Sequence, residues 1–317
     1  MTSLPFPAET PYPRGVSLWE PAGAPRALVL LSHGMAEHIG RYCELAGRLA
    51  DAGFLVAGYN HLGHGAEASL PGWFREHGGW DALVSDLRSV MMTLESRWPG
   101  LPRVLLGHSM GSFLAREYAL RHPEGLDVLV LSGTGWHPEA LCRAGLLPAE
   151  VLCALGLGKK TSKFIDRLAF SANNKPFRAE GGTAVDWLSR DKAEVQKYLD
   201  DPHCGFLFTA GGFRDLFSGL LALSRLNRLD ALPKGLPVLL LSGGRDPVGG
   251  MGKGVGEIAR QYRAAGLSAV SVRLYEGARH EMFKETNRGE AFSDLISWLV
   301  ETLGETREEH HEPVVSG

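Results

Sequence analysis

The stretch "VLLGHSMGSFLA", residues 104–115, decides the fold. An apolar run ends at Gly107, Ser109 follows two residues later, and Gly111 opens a segment with helical spacing. The pattern fits G-x-S-x-G, which sets a serine on a sharp turn from strand to helix with its hydroxyl exposed above a sheet. Glycines flank the serine because side chains there would collide with the neighbouring strand and helix. The stretch therefore predicts a nucleophilic serine with helix N-terminal N–H groups behind it.

Strands and helices alternate along the chain on both sides of this stretch. Runs of leucine and β-branched residues are typical of strands buried on both faces of a parallel sheet. We predict strands at 26–33, 54–60, 103–108, 125–133, 236–244 and 269–277, and helices at 41–53, 80–98, from 109, at 254–265 and at 288–303. The fold class is therefore α/β, a mostly parallel sheet with helices on both faces.

The alternation breaks between residues 135 and 230, where helical and loop segments replace buried strands. We predict one sheet domain in two parts, residues 1–134 and 231–304, interrupted by a mainly helical cap at 135–230. Residues 305–317 form a polar tail, which we expect to be disordered.

Composition excludes several classes of protein. Thirty-three Lys and Arg against 36 Asp and Glu give a formal charge of −3, which offers no basic face for nucleic acid. The four cysteines, Cys43, Cys142, Cys153 and Cys204, lack paired metal-ligand spacing and indicate buried free thiols. The N-terminus has no signal-peptide pattern, and no window has the ~20 apolar residues of a membrane span. We expect a cytoplasmic protein, monomeric or homodimeric, with any membrane contact peripheral.

A serine nucleophile needs a base, and the base needs an orienting acid, both at the carboxyl ends of strands. Asp246 follows the strand "VLLLSG", and His280 lies in the loop after the last strand. The chain order Ser109, Asp246, His280 is the one expected for a nucleophile elbow of this kind. Glu276 and Asp230 are weaker candidates for the acid, because one lies too near its strand and the other precedes its strand.

Two backbone N–H groups are candidates for an oxyanion hole. One belongs to Met110, directly after the nucleophile, and the other to Met35, in the loop "LSHGMAEH" after the first buried strand. Such donors stabilise the negative oxygen of a tetrahedral intermediate in acyl transfer.

With these residues placed, the chain resembles the α/β-hydrolase superfamily, and within it the monoacylglycerol lipase and bacterial lysophospholipase group of serine aminopeptidase-like hydrolases. The segments that carry the resemblance are "SHGMAEHIGRY" (32–42), "YNHLGHG" (59–65), "LLGHSMGS" (105–112), "LSRDKAEVQKYLDDPHCGF" (189–206), "DPVGGMGKGV" (246–255) and "LYEGARHEMFKETNR" (274–288). The resemblance implies the same triad and the same two oxyanion donors. It also implies hydrolysis of the carboxylic ester of monoacyl lipids through an acyl-enzyme, with no cofactor and no metal.

The resemblance further implies that Glu37 and Arg41 line the polar end of the site, which receives a glycerol-like leaving group. The alternative is an ordinary i,i+4 ion pair. We also assign His108 to substrate binding. One departure from the group is the short, proline-rich N-terminus, which is expected to lack a strand of the usual leading hairpin.

The cap lies between the strand after the elbow helix and the strand that carries Asp246, so it must emerge above the site. Its apolar side chains predict an acyl-chain tunnel or a membrane-facing rim, with packing of the cap as the alternative. They are Leu141, Leu146, Leu147, Val151, Leu152, Leu155, Leu157, Phe206, Phe208, Phe213, Leu216 and Phe217.

Other functions stay open at this point. The same triad could serve a carboxylesterase on small or aromatic esters, or a serine aminopeptidase. An aminopeptidase would need a carboxylate cluster for the substrate α-amino group, for which the cap offers Glu180, Asp186, Asp191 and Glu194. A non-catalytic binding module is disfavoured because every catalytic element is present. The histidines at 33, 61, 64, 77 and 310–311 lack the partners that a zinc site requires.

Overall fold

The computed structural model describes residues 1–7, 14–180 and 182–309, and a single eight-stranded sheet forms its centre. The strands are β1 (Thr2–Pro5), β2 (Gly15–Trp19), β3 (Leu28–Ser32), β4 (Leu55–Tyr59), β5 (Arg103–His108), β6 (Val128–Ser132), β7 (Val238–Gly243) and β8 (Val270–Tyr275). They lie in the order β1-β2-β4-β3-β5-β6-β7-β8. The pairs β1–β2 and β2–β4 are antiparallel and the remaining neighbours are parallel, which confirms the predicted mostly parallel sheet.

Helices cover both faces of the sheet. They are α1 (Cys43–Asp51), α2 (Gly79–Arg97), α3 (Met110–Arg121), α4 (Glu139–Ala154), α5 (Lys163–Phe170), α6 (Lys192–Asp200), α7 (Ala210–Leu223), α8 (Lys253–Ala264) and α9 (Arg288–Glu309). Apolar side chains of α1 and α9 form one core with the sheet, and those of α2, α3 and α8 form a second core. The sheet is buried between two cores because its central strands, such as β3 and β6, carry apolar side chains on both faces of the sheet.

The N-terminus corrects one expectation. A leading hairpin strand is present, since β1 pairs antiparallel with β2 from Thr2 opposite Leu18 to Pro5 opposite Gly15. The prolines do not prevent the pairing because β1 is an edge strand and Pro5 is its last residue. Phe6 anchors the strand end, with its ring 5.0 Å from that of Tyr59.

Helices α4 to α7 lie between β6 and β7, in the segment 135–230, which is called the insertion below. Helix α7 of the insertion packs tightly against α2, because a Cβ at Gly219 would overlap the indole ring of Trp80. Helix α4 packs closely on α7, because a Cβ at Gly145 would lie 2.5 Å from the Phe217 ring. The insertion is therefore fastened to the α2 side of the sheet through α7.

The outer part of the insertion is apolar and exposed. Leu147 and Leu155 of this part are 64% and 68% exposed, and Phe164 on α5 is 66% exposed. Leu141, Val151, Leu157 and Leu168 are also exposed. None of the helices in the described part of the chain has both the length and the apolar character needed to cross a bilayer.

Two further expectations are adjusted. All four cysteines are free, but of the predicted buried thiols only Cys142 is buried, and Cys153 and Cys204 are partly exposed. Cys43 is exposed because it is the first residue of α1 and precedes the buried face that begins at Leu45. Helix α9 continues to Glu309, six residues past the predicted end, and the expected disorder of residues 310–317 lies outside the described residues.

Candidate active site

Ser109 lies on the turn between β5 and α3, with an unusual positive φ of 52°. The flanking glycines permit that turn. A Cβ at Gly107 would collide with the backbone of Gly111, and a Cβ at Gly111 would collide with the carbonyl oxygen of Ser32 in β3. The Ser109 N–H donates to the Ser132 carbonyl of β6 at 2.9 Å, which fixes the turn over the sheet.

Asp246 and His280 meet at the carboxyl ends of β7 and β8. His280 Nδ1 lies 3.0 Å from Asp246 Oδ1, and both side chains are buried. The same Oδ1 accepts the Val248 N–H at 2.9 Å, and Ser242 Oγ lies 3.4 Å from Oδ2. With the Nδ1 proton directed at a carboxylate, Nε2 is the ring atom free to accept a proton.

The environment of His280 favours its charged form. Burial lowers the pKa of His280, but the Asp246 carboxylate and its hydrogen bond, with Glu281 and Glu37 further off, raise the pKa above its usual 6.5. The other acids considered from the sequence, Asp230 and Glu276, are exposed.

Ser109 and His280 line one cavity of about 880 Å³, together with Met35 and Met110. Met110 is the first residue of α3, so its N–H has no acceptor within the helix. Between residues 34 and 36 of the described chain, the N–H groups of Gly34 and Ala36 have side-chain acceptors, whereas none is seen for Met35 N–H. Both expected oxyanion donors thus lie at the cavity of the serine.

Glu37 and Arg41 form a buried network rather than an exposed pair. Arg41 lies 2.6 Å from Glu37 and makes two hydrogen bonds to Glu281. Glu37 also accepts the Tyr42 hydroxyl at 2.7 Å and the Gly34 N–H at 2.5 Å. Burial would raise the pKa of Glu37, but Arg41, His108 and His33 lower it to about 2.

His108 and Glu37 line the large cavity, whereas Arg41 lines a smaller cavity of about 20 Å³ beside it. His108 Nδ1 lies 3.0 Å from Ser132 Oγ, and its ring centre is 4.8 Å from that of His280. The predicted contacts of Glu37, Arg41 and His108 with substrate stay predictions. No pattern in the sequence pointed to Glu281, which adjoins His280 and completes the network through its hydrogen bonds from Arg41.

The insertion supplies most of the apolar wall of the large cavity. Side chains that line it include Leu141, Leu168, Phe170, Phe206, Leu216 and Phe217. The apolar residues predicted for the insertion therefore divide into three groups. Some line the cavity, some such as Leu147 and Leu155 face outward, and Phe208 and Phe213 are buried in the core.

The four carboxylates considered for an α-amino site are engaged elsewhere. Glu180 pairs with Arg245 and Arg279, and Asp186 accepts from Thr183. Asp191 caps α6, and Glu194 pairs with Lys197 and Lys284. Among the described residues around the large cavity, the acids are instead Glu37, Asp166 and Glu281.

One group of described residues could hold a metal ion. His38, Asp201 and Cys204 bring a nitrogen, an oxygen and a sulfur within 4.8 Å of one another. His38 Nδ1 accepts the Gly40 N–H, so Nε2 carries the proton that it donates to Asp201 at 2.8 Å. A metal would have to displace that proton. Sequence reasoning missed this group because His38 and Asp201 are 163 residues apart.

Comparison with known proteins places the chain among serine hydrolases. The family model for serine aminopeptidase S33 matches residues 23–287. Monoacylglycerol lipase of Mycolicibacterium smegmatis is 33% identical over 291 residues, which cover 90% of this chain and 92% of that protein. Monoglyceride lipase of Homo sapiens is 30% identical over 287 residues, covering 89% of this chain and 84% of that protein.

Solved structures agree in fold. A thermostable carboxyl esterase from Bacillus coagulans, in complex with glycerol, matches with a TM-score of 0.89 at 26% identity, covering 95% of this chain and 98% of that chain. A soluble variant of monoglyceride lipase from Saccharomyces cerevisiae matches with a TM-score of 0.74 at 20% identity, covering 93% and 94%.

Proposed function

Because this chain belongs to the serine aminopeptidase S33 family and has the α/β-hydrolase fold, we propose that it hydrolyses the carboxylic ester of monoacyl lipids such as monoacylglycerols. The observation that carries the proposal is that Ser109 and His280, the latter hydrogen-bonded to Asp246, line one large cavity whose wall is apolar on the insertion side. The relatives named monoacylglycerol and monoglyceride lipase support the choice of substrate.

The reaction proceeds in two halves. Ser109 Oγ attacks the ester carbonyl carbon while His280 Nε2 takes the hydroxyl proton, and the carbonyl oxygen becomes an oxyanion. The N–H groups of Met35 and Met110 stabilise that oxyanion. The carbon–oxygen bond to the alcohol then breaks, and the alcohol leaves with the proton from His280. Water then attacks the carbonyl carbon of the acyl-serine while His280 Nε2 takes a proton from the water. The bond to Ser109 Oγ breaks, the fatty acid leaves, and His280 returns the proton to Ser109.

Asp246 maintains the protonation state of His280 that this cycle requires. Its carboxylate holds the His280 proton on Nδ1 and stabilises the imidazolium that forms in both halves. Since His280 has a raised pKa, the free enzyme loses its neutral base as the pH falls through that value.

The cavity has an apolar side and a polar side, which suit the acyl chain and the alcohol of the substrate respectively. We assign the acyl chain to the wall formed by the insertion, which includes Phe206, Leu216 and Phe217. The leaving alcohol lies toward Glu37 and His108, the polar groups beside the serine. Residues 135–230 then act as the cap that shapes the acyl site, which is the domain division predicted from the sequence.

The exposed apolar residues of α4 and α5 support peripheral contact with a membrane or micelle. Leu147, Leu155 and Phe164 project from the same segment that walls the acyl site. Such a surface lets a monoacyl lipid leave its aggregate without exposing its chain to water. The cytoplasmic location and the monomeric or homodimeric state stay predictions.

Hydrolysis by wild type and Ser109→Ala tests the function. The substrates are p-nitrophenyl esters of rising chain length, a monoacylglycerol and an aminoacyl-nitroanilide. Ser85→Ala, which removes an exposed serine on α2, is the matched control. We expect monoacylglycerol hydrolysis by wild type and control, with a loss of at least ~10³-fold in Ser109→Ala.

Each contrary outcome identifies its own alternative. Equal rates in wild type and Ser109→Ala would refute a serine hydrolase. A preference for acetyl over medium and long acyl esters would refute the lipid substrate and favour a small-ester carboxylesterase. Rapid cleavage of the nitroanilide with no esterase activity would favour an aminopeptidase.

A further inference from the structure

The loop of residues 34–36 carries the expected oxyanion donor of Met35, and its neighbouring backbone groups are all held. Glu37 Oε1 accepts the Gly34 N–H at 2.5 Å, and His33 Nδ1 lies 2.8 Å from the Gly34 carbonyl oxygen. His64 Nε2 accepts the Ala36 N–H at 3.2 Å. Buried side chains thus bind the backbone on both sides of Met35, a residue that lines the cavity.

The conformation of this loop needs such support. Ala36 has a φ of 53°, a left-handed conformation that a residue with a Cβ adopts only when its surroundings hold it there. Its carbonyl oxygen accepts the Gly205 N–H at 2.9 Å and the Tyr198 hydroxyl at 3.2 Å, both from the insertion. The loop is therefore held from two sides, by the sheet domain and by the insertion.

The two histidines are suited to this task because they are uncharged and fully engaged. His33 accepts the His61 N–H at Nε2, so its Nδ1 carries the proton given to Gly34. His64 donates from Nδ1 to the Leu62 carbonyl, so its Nε2 is free to accept from Ala36. Burial, partly offset by Glu37, lowers the pKa of His33 to about 4, and burial together with His33 lowers the pKa of His64 to about 3.

We propose that His64, His33 and Glu37 are positioning residues that hold the 34–36 backbone so that Met35 N–H points at the developing oxyanion. The inference rests on the proposed function and gives a role to His64 of the "HLGH" segment, which the mechanism leaves unused. Both ring nitrogens of His33 and of His64 are hydrogen-bonded, so neither side chain offers a free lone pair to a metal ion.

Three variants test the role of His64. His64→Leu removes the acceptor for Ala36 N–H, whereas His64→Gln can place an amide oxygen near the position of Nε2. Loss of one oxyanion donor costs about 10²–10³ in kcat. We expect His64→Leu to lose about 10²-fold in kcat with little change in KM, and His64→Gln to recover most of it. If the leucine variant does not fold, His64→Asn, whose oxygen is too short to reach Ala36, replaces it with the same expectation.

His61→Leu is the matched control, because His61 belongs to the same buried histidine cluster and, in the described chain, makes no hydrogen bond to residues 34–36. Reactive enzyme is counted by end-point labelling of Ser109 with a fluorophosphonate. A trifluoromethyl ketone, which forms an oxyanion on Ser109, should bind His64→Leu about 10²-fold more weakly than wild type. A non-covalent monoacyl ether should bind both equally.

Two results would overturn the inference while leaving the proposed function intact. One is unchanged kcat and ketone affinity in His64→Leu. The other is an equal loss per labelled serine in His61→Leu, which would show a packing effect. By contrast, wild-type enzyme without Ser109-dependent ester hydrolysis would refute the proposed function, and the inference with it.

Discussion

Replacing Asp246 with asparagine separates the two tasks of the acid, orientation and charge. In many triads the amide turns its NH₂ toward the histidine, imposes the wrong tautomer and costs about 10⁴ in kcat. Here the oxygen that faces His280 also accepts the Val248 N–H at 2.9 Å. An amide NH₂ in the position of Oδ1 would face two other donors, the Val248 N–H and the His280 Nδ1–H. The asparagine must therefore place its oxygen there, with its NH₂ toward Ser242 Oγ. The correct tautomer of His280 is therefore retained, and the charge alone is lost.

The size of the loss follows from that charge. A hydrogen bond to a charged group contributes roughly 1.5–3 kcal/mol, and about 1.4 kcal/mol corresponds to a factor of ten in rate. Asp246→Asn should therefore lower kcat by roughly 10- to 10²-fold, less than the ~10⁴-fold expected when the tautomer is also wrong.

The pH profile checks the same reasoning independently. His280 must be neutral to accept the serine proton, and Asp246 is the largest of the influences that raise its pKa. In wild type, kcat/KM should fall as the pH drops through a value above 6.5. In Asp246→Asn, this acid limb should move to lower pH, because the carboxylate that raises the pKa of His280 is gone. A loss of 10⁴-fold or more with an unmoved acid limb would refute the argument from Val248.

Two further predictions concern the scaffold of the site. Gly111→Ala, whose Cβ would press on the Ser32 carbonyl oxygen, should lower the free energy of unfolding by roughly 1–3 kcal/mol in denaturant melts. Gly47→Ala, which has open space around it in α1, should raise the free energy of unfolding by about 0.5–1 kcal/mol. Equal effects of the two substitutions would contradict the packing explanation. Arg41→Met should cost about 3–5 kcal/mol at pH 7, because two buried carboxylates lose their cation. Burial then raises the pKa of Glu37, so this deficit should shrink as the pH falls and Glu37 is protonated; a deficit independent of pH in chemical denaturation would contradict it.

The sequence predicted the sheet and the chain order of Ser109, Asp246 and His280 because those signals are local. Ser109 and Asp246 each follow an apolar run typical of a buried strand, and His280 follows the alternating run of β8. The topology of a parallel sheet brings these strand ends together. The flanking glycines could likewise be predicted from the motif, although the structure shows that Gly107 is required by the backbone of the same turn and Gly111 by the backbone of β3.

Features formed by distant segments could not be predicted in the same way. The hydrogen bonds of Ala36 to Tyr198 of α6 and to Gly205 join segments more than 160 residues apart. The partner of Arg41 at Glu281 is equally remote, and the sequence showed only the local half of that network. The leading strand β1 was missed because prolines mark loops in most contexts and are tolerated here only by the edge position.

The bonds from the insertion to the Ala36 carbonyl have a consequence for protein engineering. An insertion of this kind is an attractive unit to exchange between hydrolases, since it lies between two strands and supplies most of the apolar wall of the cavity. Here, however, Tyr198 and Gly205 also donate to the Ala36 carbonyl oxygen, next to the proposed oxyanion donor Met35. We therefore expect a chimaera with a foreign insertion to change catalytic rate and substrate preference together, unless residues 198–205 are retained along with the 34–36 loop that they contact.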